Sequence, residues 1–146
     1  MIKKKCLKGY VVGTNSETSK NATPETERSA VISDYLNLSV GIIESIYDLT
    51  KEAPTLKING SVEEIMFALS AAYTALDKNC NFTAIYNELN RIHGDRSLLE
   101  KVPEVANDAD GMDVDMLRWS ANHETRYIRL NEKGRSEAQK LLGENL

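Results

Sequence analysis

The stretch LRWSANHETRYIRLNEKGRSEAQKLL, Leu117 to Leu142, decides the reading of this 146-residue chain. It divides into strand, short turn, strand and capped helix. Leu117 and Trp119 stand two apart before the turn. Tyr127, Ile128 and Leu130 carry the apolar residues of the returning strand, as a half-buried hairpin requires. Asn131 follows in an N-cap position, where its side-chain oxygen can accept a first-turn N–H of a helix over Glu132–Leu142.

Upstream of the hairpin, Asn107 to Asp113 is turn-like and contains Asp110-Gly111. Ser97 to about Ala106 reads as a helix weakened by Pro103. Phe82, Ile85, Leu89 and Ile92 fall three or four apart and mark a helix that Gly94 ends. Ser61 with Glu64 forms a capping box. Ile65, Leu69, Ala72 and Leu76 give the buried face of the helix it starts, broadened by Met66 and Tyr73, and running to about Lys78. Leu56 to Ile58 reads as a short extended connection.

Thr23-Pro24-Glu25 starts another helix, with a Thr cap, Pro at the first helical position and acid in the first turn. Val31, Tyr35, Leu38, Ile42, Ile46 and Leu49 then recur every three or four residues, flanked by Ile32, Leu36, Ile43 and Tyr47. The pattern predicts one broadly apolar helix to about Lys51, with Pro54 as its stop. Gly41 inside it costs about 1 kcal/mol against Ala, and a close helix–helix approach is one explanation. Residues 1–23 divide into KKKCLKGYVVG, which can form a short strand at Tyr10–Val12, and the polar TNSETSKNAT, which reads as a flexible tail: a disordered terminus or a binding arm.

The string YIRLNEKGR resembles the x-L-T-E-K-G-R box that follows the wing in winged helix-turn-helix proteins of the MarR and PadR types. Asn131 stands where the box has Thr, and both residues can cap a helix. The order helix 61–78, helix 82–93, helix 96–107, hairpin 116–130, helix 132–142 is also that of a winged helix. The expected fold class is therefore mainly α with a small β-hairpin, a winged helix-turn-helix preceded by a long N-terminal helix. The domain spans 24–146, its N-terminal helix 24–52, behind a tail over 1–23.

The resemblance implies a small dimeric transcriptional regulator that binds double-stranded DNA, with its third helix in the major groove. It implies DNA contacts from Arg96 and Lys101 on that helix and from Arg118, His123, Arg126 and Arg129 on the wing. Lys133 and Arg135 in the post-wing box complete the set. A long apolar helix before such a module often makes a homodimer interface, here Val31, Tyr35, Leu38, Ile42 and Ile46; the same helix could equally pack on its own domain. Arg126 and Arg129 can also be read as a solvated strand face pairing with Glu124, Trp119 as packing, and His93 and His123 as surface residues.

Charge opposes part of this. The net charge is −4, and it is unevenly spread. Residues 1–30 carry six basic and three acidic groups, and 123–146 carry five and four, whereas 101–122 carry two and five. The candidate recognition helix holds Glu100, Glu104, Asp108 and Asp110 beside Arg96 and Lys101, and Asp113 and Asp115 follow. Acids facing a polyanion are unfavourable. The spacing of Asp108, Asp110, Asp113 and Asp115 around Gly111 misses the calcium-loop pattern, which needs Gly at the sixth position and Glu at the twelfth, so no metal is expected.

Other classes are opposed by what the sequence lacks. It has no phosphate loop, nucleophile elbow or zinc box, so neither enzyme chemistry nor a cofactor is expected. Cys6 and Cys80 are too few for a disulfide framework and read as thiols of a reducing compartment. No apolar run approaches the ~20 residues of a membrane span. Lys8 and Gly9 interrupt the stretch that a signal peptide would need. The expected location is cytoplasmic. Two readings remain open: a DNA-binding regulator, favoured by the basic wing, and a non-enzymatic protein-interaction module with an inhibitor-like or DNA-mimicking surface, favoured by the acidic middle. In the second, Asp108, Asp110, Asp113 and Asp115 meet the partner protein.

Overall fold

The computed structural model describes residues 24–121 and 123–144, apart from the side chains of residues 117–119, 123 and 124. The expected tail, the Tyr10–Val12 strand, Cys6 and the Thr23 cap lie outside these residues. The described chain is mainly helical, with two small antiparallel sheets. In order it forms α1 (Pro24–Leu36), α2 (Val40–Ile46), β1 (Tyr47–Asp48), β2 (Thr55–Leu56), α3 (Val62–Ala75), β3 (Cys80–Asn81) and α4 (Phe82–His93). A 3₁₀ turn (Arg96–Glu100), α5 (Lys101–Asp108), β4 (Met112–Ser120), β5 (His123–Leu130) and α6 (Glu132–Glu144) complete it.

α3 is the centre. Its capping box closes in both directions: Ser61 N–H donates to Glu64 Oε1 (2.9 Å), and Glu64 N–H donates to Ser61 Oγ (3.2 Å). Its small residues Ala68, Ala71 and Ala72 are fully buried, which lets α1, α4, α5, α6 and β5 all pack around it. It ends at Ala75 rather than Lys78, because Asp77 turns left-handed (φ 57°) and Lys78 N–H bonds back to Tyr73 O at 2.8 Å. A short polar side chain tolerates that conformation. Gly94 (φ 67°) ends α4 in the same way.

The single helix expected over 24–51 is absent. Asn37 (φ 55°) breaks it, and Ser33 and Leu38 close the break: Leu38 N–H donates to Ser33 O, and Ser33 Oγ–H donates to Leu38 O. Ser39 then caps α2 by accepting Ile42 N–H at 3.2 Å. The apolar spacing carries across the break because both segments face the same core. Gly41 sits in the first turn of α2, and a Cβ there would meet nothing within 4 Å, so close helix approach does not explain it. Tyr47–Asp48 pair with Thr55–Leu56 in register Tyr47↔Leu56.

Pro103 does not weaken α5. It falls in the first turn, where its missing N–H has no helical partner to lose. The hairpin starts at Met112, earlier than expected, so Asp113 and Asp115 stand on a strand rather than in a turn. β3 joins it through Cys80↔Ile128 and Asn81↔Tyr127, giving the sheet order β3-β5-β4. Burial pushes the Cys80 thiol up to about 12 despite the nearby Ser70 hydroxyl, which keeps it protonated and unreactive at neutral pH.

The hairpin and α6 are locked together at their shared corner. Asn131 Oδ1 accepts Gly134 N–H (3.0 Å), and Asn131 Nδ2 donates to Asp110 O and to Asp113 Oδ1 (both 3.0 Å). Asn131 N–H donates to Gly111 O at 3.1 Å. Gly111 and Gly134 touch backbone to backbone: a Cβ on Gly134 would lie 2.2 Å from Gly111 O, and one on Gly111 would lie 2.3 Å from Gly134 Cα. Gly134→Ala should therefore cost about 1–3 kcal/mol through forced separation. Gly41→Ala, with open space and a helical backbone, should leave stability unchanged or raise it by a few tenths to about 1 kcal/mol. Urea melts of the two variants check this, and equal midpoints would refute the contact.

Candidate interaction surface

Three of the six cationic candidates whose side chains are described, Arg129, Lys133 and Arg135, are engaged in internal contacts. Arg135 Nε donates to Tyr35 O at 2.5 Å, and its guanidinium lies 4.9 Å from the centroid of the Tyr35 ring. It thus ties α6 to α1. Arg129 Nη2 pairs with Asp77 Oδ1 at 2.9 Å and its Nε reaches Asn79 Oδ1 at 3.4 Å. Lys133 Nζ is 3.4 Å from Asp110 Oδ2. Of the remaining described candidates, Arg96 and Lys101 are exposed at the 3₁₀ turn and the first residue of α5, and Arg126 is exposed on β5 opposite Met116. The side chains of Arg118 and His123 lie outside the described residues.

α5 shows the sharper contrast. Val102 (0% exposed) and Ala106 (2%) turn inward. Helical geometry then points Glu104 directly away from the core, flanked by Lys101, Asn107 and Asp108, all exposed. Glu100 precedes Glu104 by four residues and Asp108 follows it by four, so three carboxylates share one stripe. Beside it, a groove of about 330 Å³ runs between α3 and α6, lined by Glu63, Asp108, Asp110 and Glu137 with Lys133. An adjoining hollow adds Glu104 and Val105. Among the described residues, no three His, Cys, Asp or Glu side chains converge as a metal-ligating set. These acids form an extended negative surface.

The expected dimer face does not survive as one stripe. Ile46 is 1% exposed and belongs to the chain's own core. Tyr35 is half-buried beneath Arg135, and Leu38 lies against Gly143. Ile42 is half-buried. Val31 is 42% exposed, as is Val40 at 40%, a residue outside the expected set.

A polar cluster escaped the sequence reading. Glu88 is buried (5% exposed) and accepts from Leu56 N–H and, bidentately, from Arg91 Nε and Nη2, both at 2.8 Å. Arg91 Nη2 also donates to Leu56 O at 2.7 Å. The pair clips the β1–β2 hairpin onto α4 by satisfying both backbone groups of Leu56. The hydrogen bond to Glu88 raises the Arg91 pKa. The only trace in the sequence was a Glu three residues before an Arg on an amphipathic helix. Its partner lies more than thirty residues away.

No protein-family model, no curated protein and no solved structure matches this chain. Among the described residues, no helix is long and apolar enough to cross a membrane.

Two basic residues separate structure from surface. Arg135→Ala should cost about 1–2 kcal/mol, because it removes a charge-assisted hydrogen bond and a stacked cation. Arg126→Ala should stay within about 0.5 kcal/mol, as exposed strand charges usually do. Thermal denaturation of both variants tests the assignment, and the reverse order of costs would overturn it.

Proposed function

We propose that this chain is a winged-helix-type interaction module without catalytic activity, and that the outward face of α5 docks a basic surface of a partner protein. The element order supports the fold: helix, strand, helix, helix, hairpin and helix, with the short strand joining the hairpin. In that fold α5 is the groove-reading helix and β4–β5 the wing. Fold alone does not choose the ligand. The observation that carries the reading is the Glu100–Glu104–Asp108 stripe on the outward side of α5. There a duplex would meet carboxylates, while a basic protein would be steered in.

A second reading keeps double-stranded DNA as the partner. It is favoured by exposed Arg126 on the wing and by Arg96 and Lys101 at the start of the reading helix. A homodimer presenting two wings, with Val31 in its interface, belongs to that reading.

Salt-titrated fluorescence anisotropy separates them. Under the docking reading, a short duplex fails to bind at low salt, while a fluorescent oligolysine probe binds. The variant Glu100→Gln, Glu104→Gln, Asp108→Asn then weakens the probe about tenfold, the sum of three modest exposed charge pairs. Under the DNA reading, the wild-type chain binds the duplex. Arg126→Ala then lowers the log–log salt slope by about 1, and the amide variant binds more tightly. Duplex binding with that slope change would end the docking reading.

A further inference from the structure

β4 is the outer strand of its sheet, and among the described residues only β5 pairs with it. Three hydrogen bonds fix which way its backbone groups point. Leu130 N–H donates to Thr74 Oγ1 (3.1 Å) rather than across to Met112. Met112 N–H donates to Ala109 O (3.2 Å), and Met116 N–H donates to Asp115 Oδ1 (2.7 Å). Residues 112 and 116 therefore turn their backbone groups away from β5, and the antiparallel alternation turns those of Val114 the same way. The side chains sort by face. Val114 (37% exposed) and Met116 (44%) stand on one side, and the exposed carboxylates of Asp113 and Asp115 on the other.

We propose that the open edge of β4, over Asp113–Met116, receives an extended segment of the partner as an added strand, and that this segment alternates basic and apolar residues. The proposal rests on the basic-partner reading above and names how such a partner would bind. Backbone groups at Val114 and Met116 supply the strand bonds, and alternate side chains supply the selection. Apolar guest residues cover Val114 and Met116, two large hydrophobics left in water. Basic guest residues meet Asp113, which already accepts from Asn131 Nδ2 on one oxygen, and Asp115. The Asp115 carboxylate shields the Met116 N–H in the free chain. A guest cation draws that carboxylate into an ion pair and frees the N–H for the incoming strand. A second copy of this chain fits worse: two β4 edges would bring four carboxylates onto one face, and like charges across strands are destabilising.

The test is an NMR titration of the chain with an acetylated, amidated peptide alternating Lys and Val. Controls are the same peptide N-methylated at the positions that would donate to β4, and the chain variant Val114→Pro. Proline suits an edge position whose N–H faces solvent, so the variant removes one edge donor and keeps the β5 pairing. The expected result is amide shifts at residues 113–116, with binding about tenfold weaker for the methylated peptide and for Val114→Pro. Asp113→Asn with Asp115→Asn should remove most of the salt dependence, and this variant decides the matter if Val114→Pro fails to fold. Equal binding of the methylated peptide overturns the added strand. Shifts confined to Glu63, Glu104 and Asp108 overturn it too, but leave the basic-partner reading standing. Absence of any shift ends both. Concentration-dependent shifts at 113–116 without peptide would give the edge to a second copy and overturn the proposal.

Discussion

The corner at Asn131 is the constraint on which the rest of the described chain depends. One amide side chain caps α6 through Gly134 N–H and holds the chain entering β4 through Asp110 O and Asp113 Oδ1. The two glycines beside it, Gly111 and Gly134, let those backbones meet at a distance that no Cβ permits. The contact sets where β4 begins and so its register against β5, with Met112 opposite Leu130. That register directs Met112, Ile128 and Leu130 into the core beneath the sheet. A slip of one residue would put Met112 on the opposite face of the sheet from Ile128 and Leu130. The N-E-K-G-R string therefore reads first as structure: Asn131 is the cap, Gly134 the close approach and Arg135 the tie to Tyr35.

What was legible in the sequence was local. The Ser61–Glu64 box, the Gly94 stop and the Asn131 cap each involve residues within a few positions of one another, and each formed as expected. The break at Asn37 was hidden because the apolar spacing runs on through it. Two helices packed on one core preserve the same three-and-four rhythm as one helix, and only Asn37 and Ser39 marked the turn. The Glu88–Arg91 clip on Leu56 was out of reach because its energy lies in a contact between distant segments. A two-residue strand has no periodicity to detect.

The candidate site divides along the same line. The sequence put Arg129 on the hairpin and Arg135 on the last helix, but it misplaced Asp113 and Asp115 and could not show which charges were already engaged. Arg129 meets Asp77 and Arg135 meets Tyr35, across 52 and 100 residues. An arginine held by a backbone carbonyl and an aromatic face keeps its charge but not its freedom, so a count of basic residues in the wing overstates what a polyanion would find. The acids of α5 are different. Glu104 points outward and is exposed, and the neighbouring carboxylates repeat at four-residue intervals. Side chains at that spacing repel one another. A stripe of this kind lowers the stability of the helix that carries it, and a cationic partner relieves the repulsion.

The same trade-off runs along the hairpin. Its base is fixed by Ile128, Leu130 and Met112 in the core and by β3 alongside β5. Beyond Val114 those supports end. β4 continues as a two-stranded ribbon, with Met116 exposed on one face and Asp115 on the other. Ribbons of that kind gain little from their own pairing, and surfaces that bind are drawn from the less stabilised parts of a fold. The core-facing end of the hairpin is thus devoted to register and the distal end is left with unfilled bonding capacity. A strand added along β4 would extend to the distal end the cover that β3 gives β5 at the base, and it would place the partner's cations against Asp113 and Asp115, on the strand that leads out of the acidic groove beside α5.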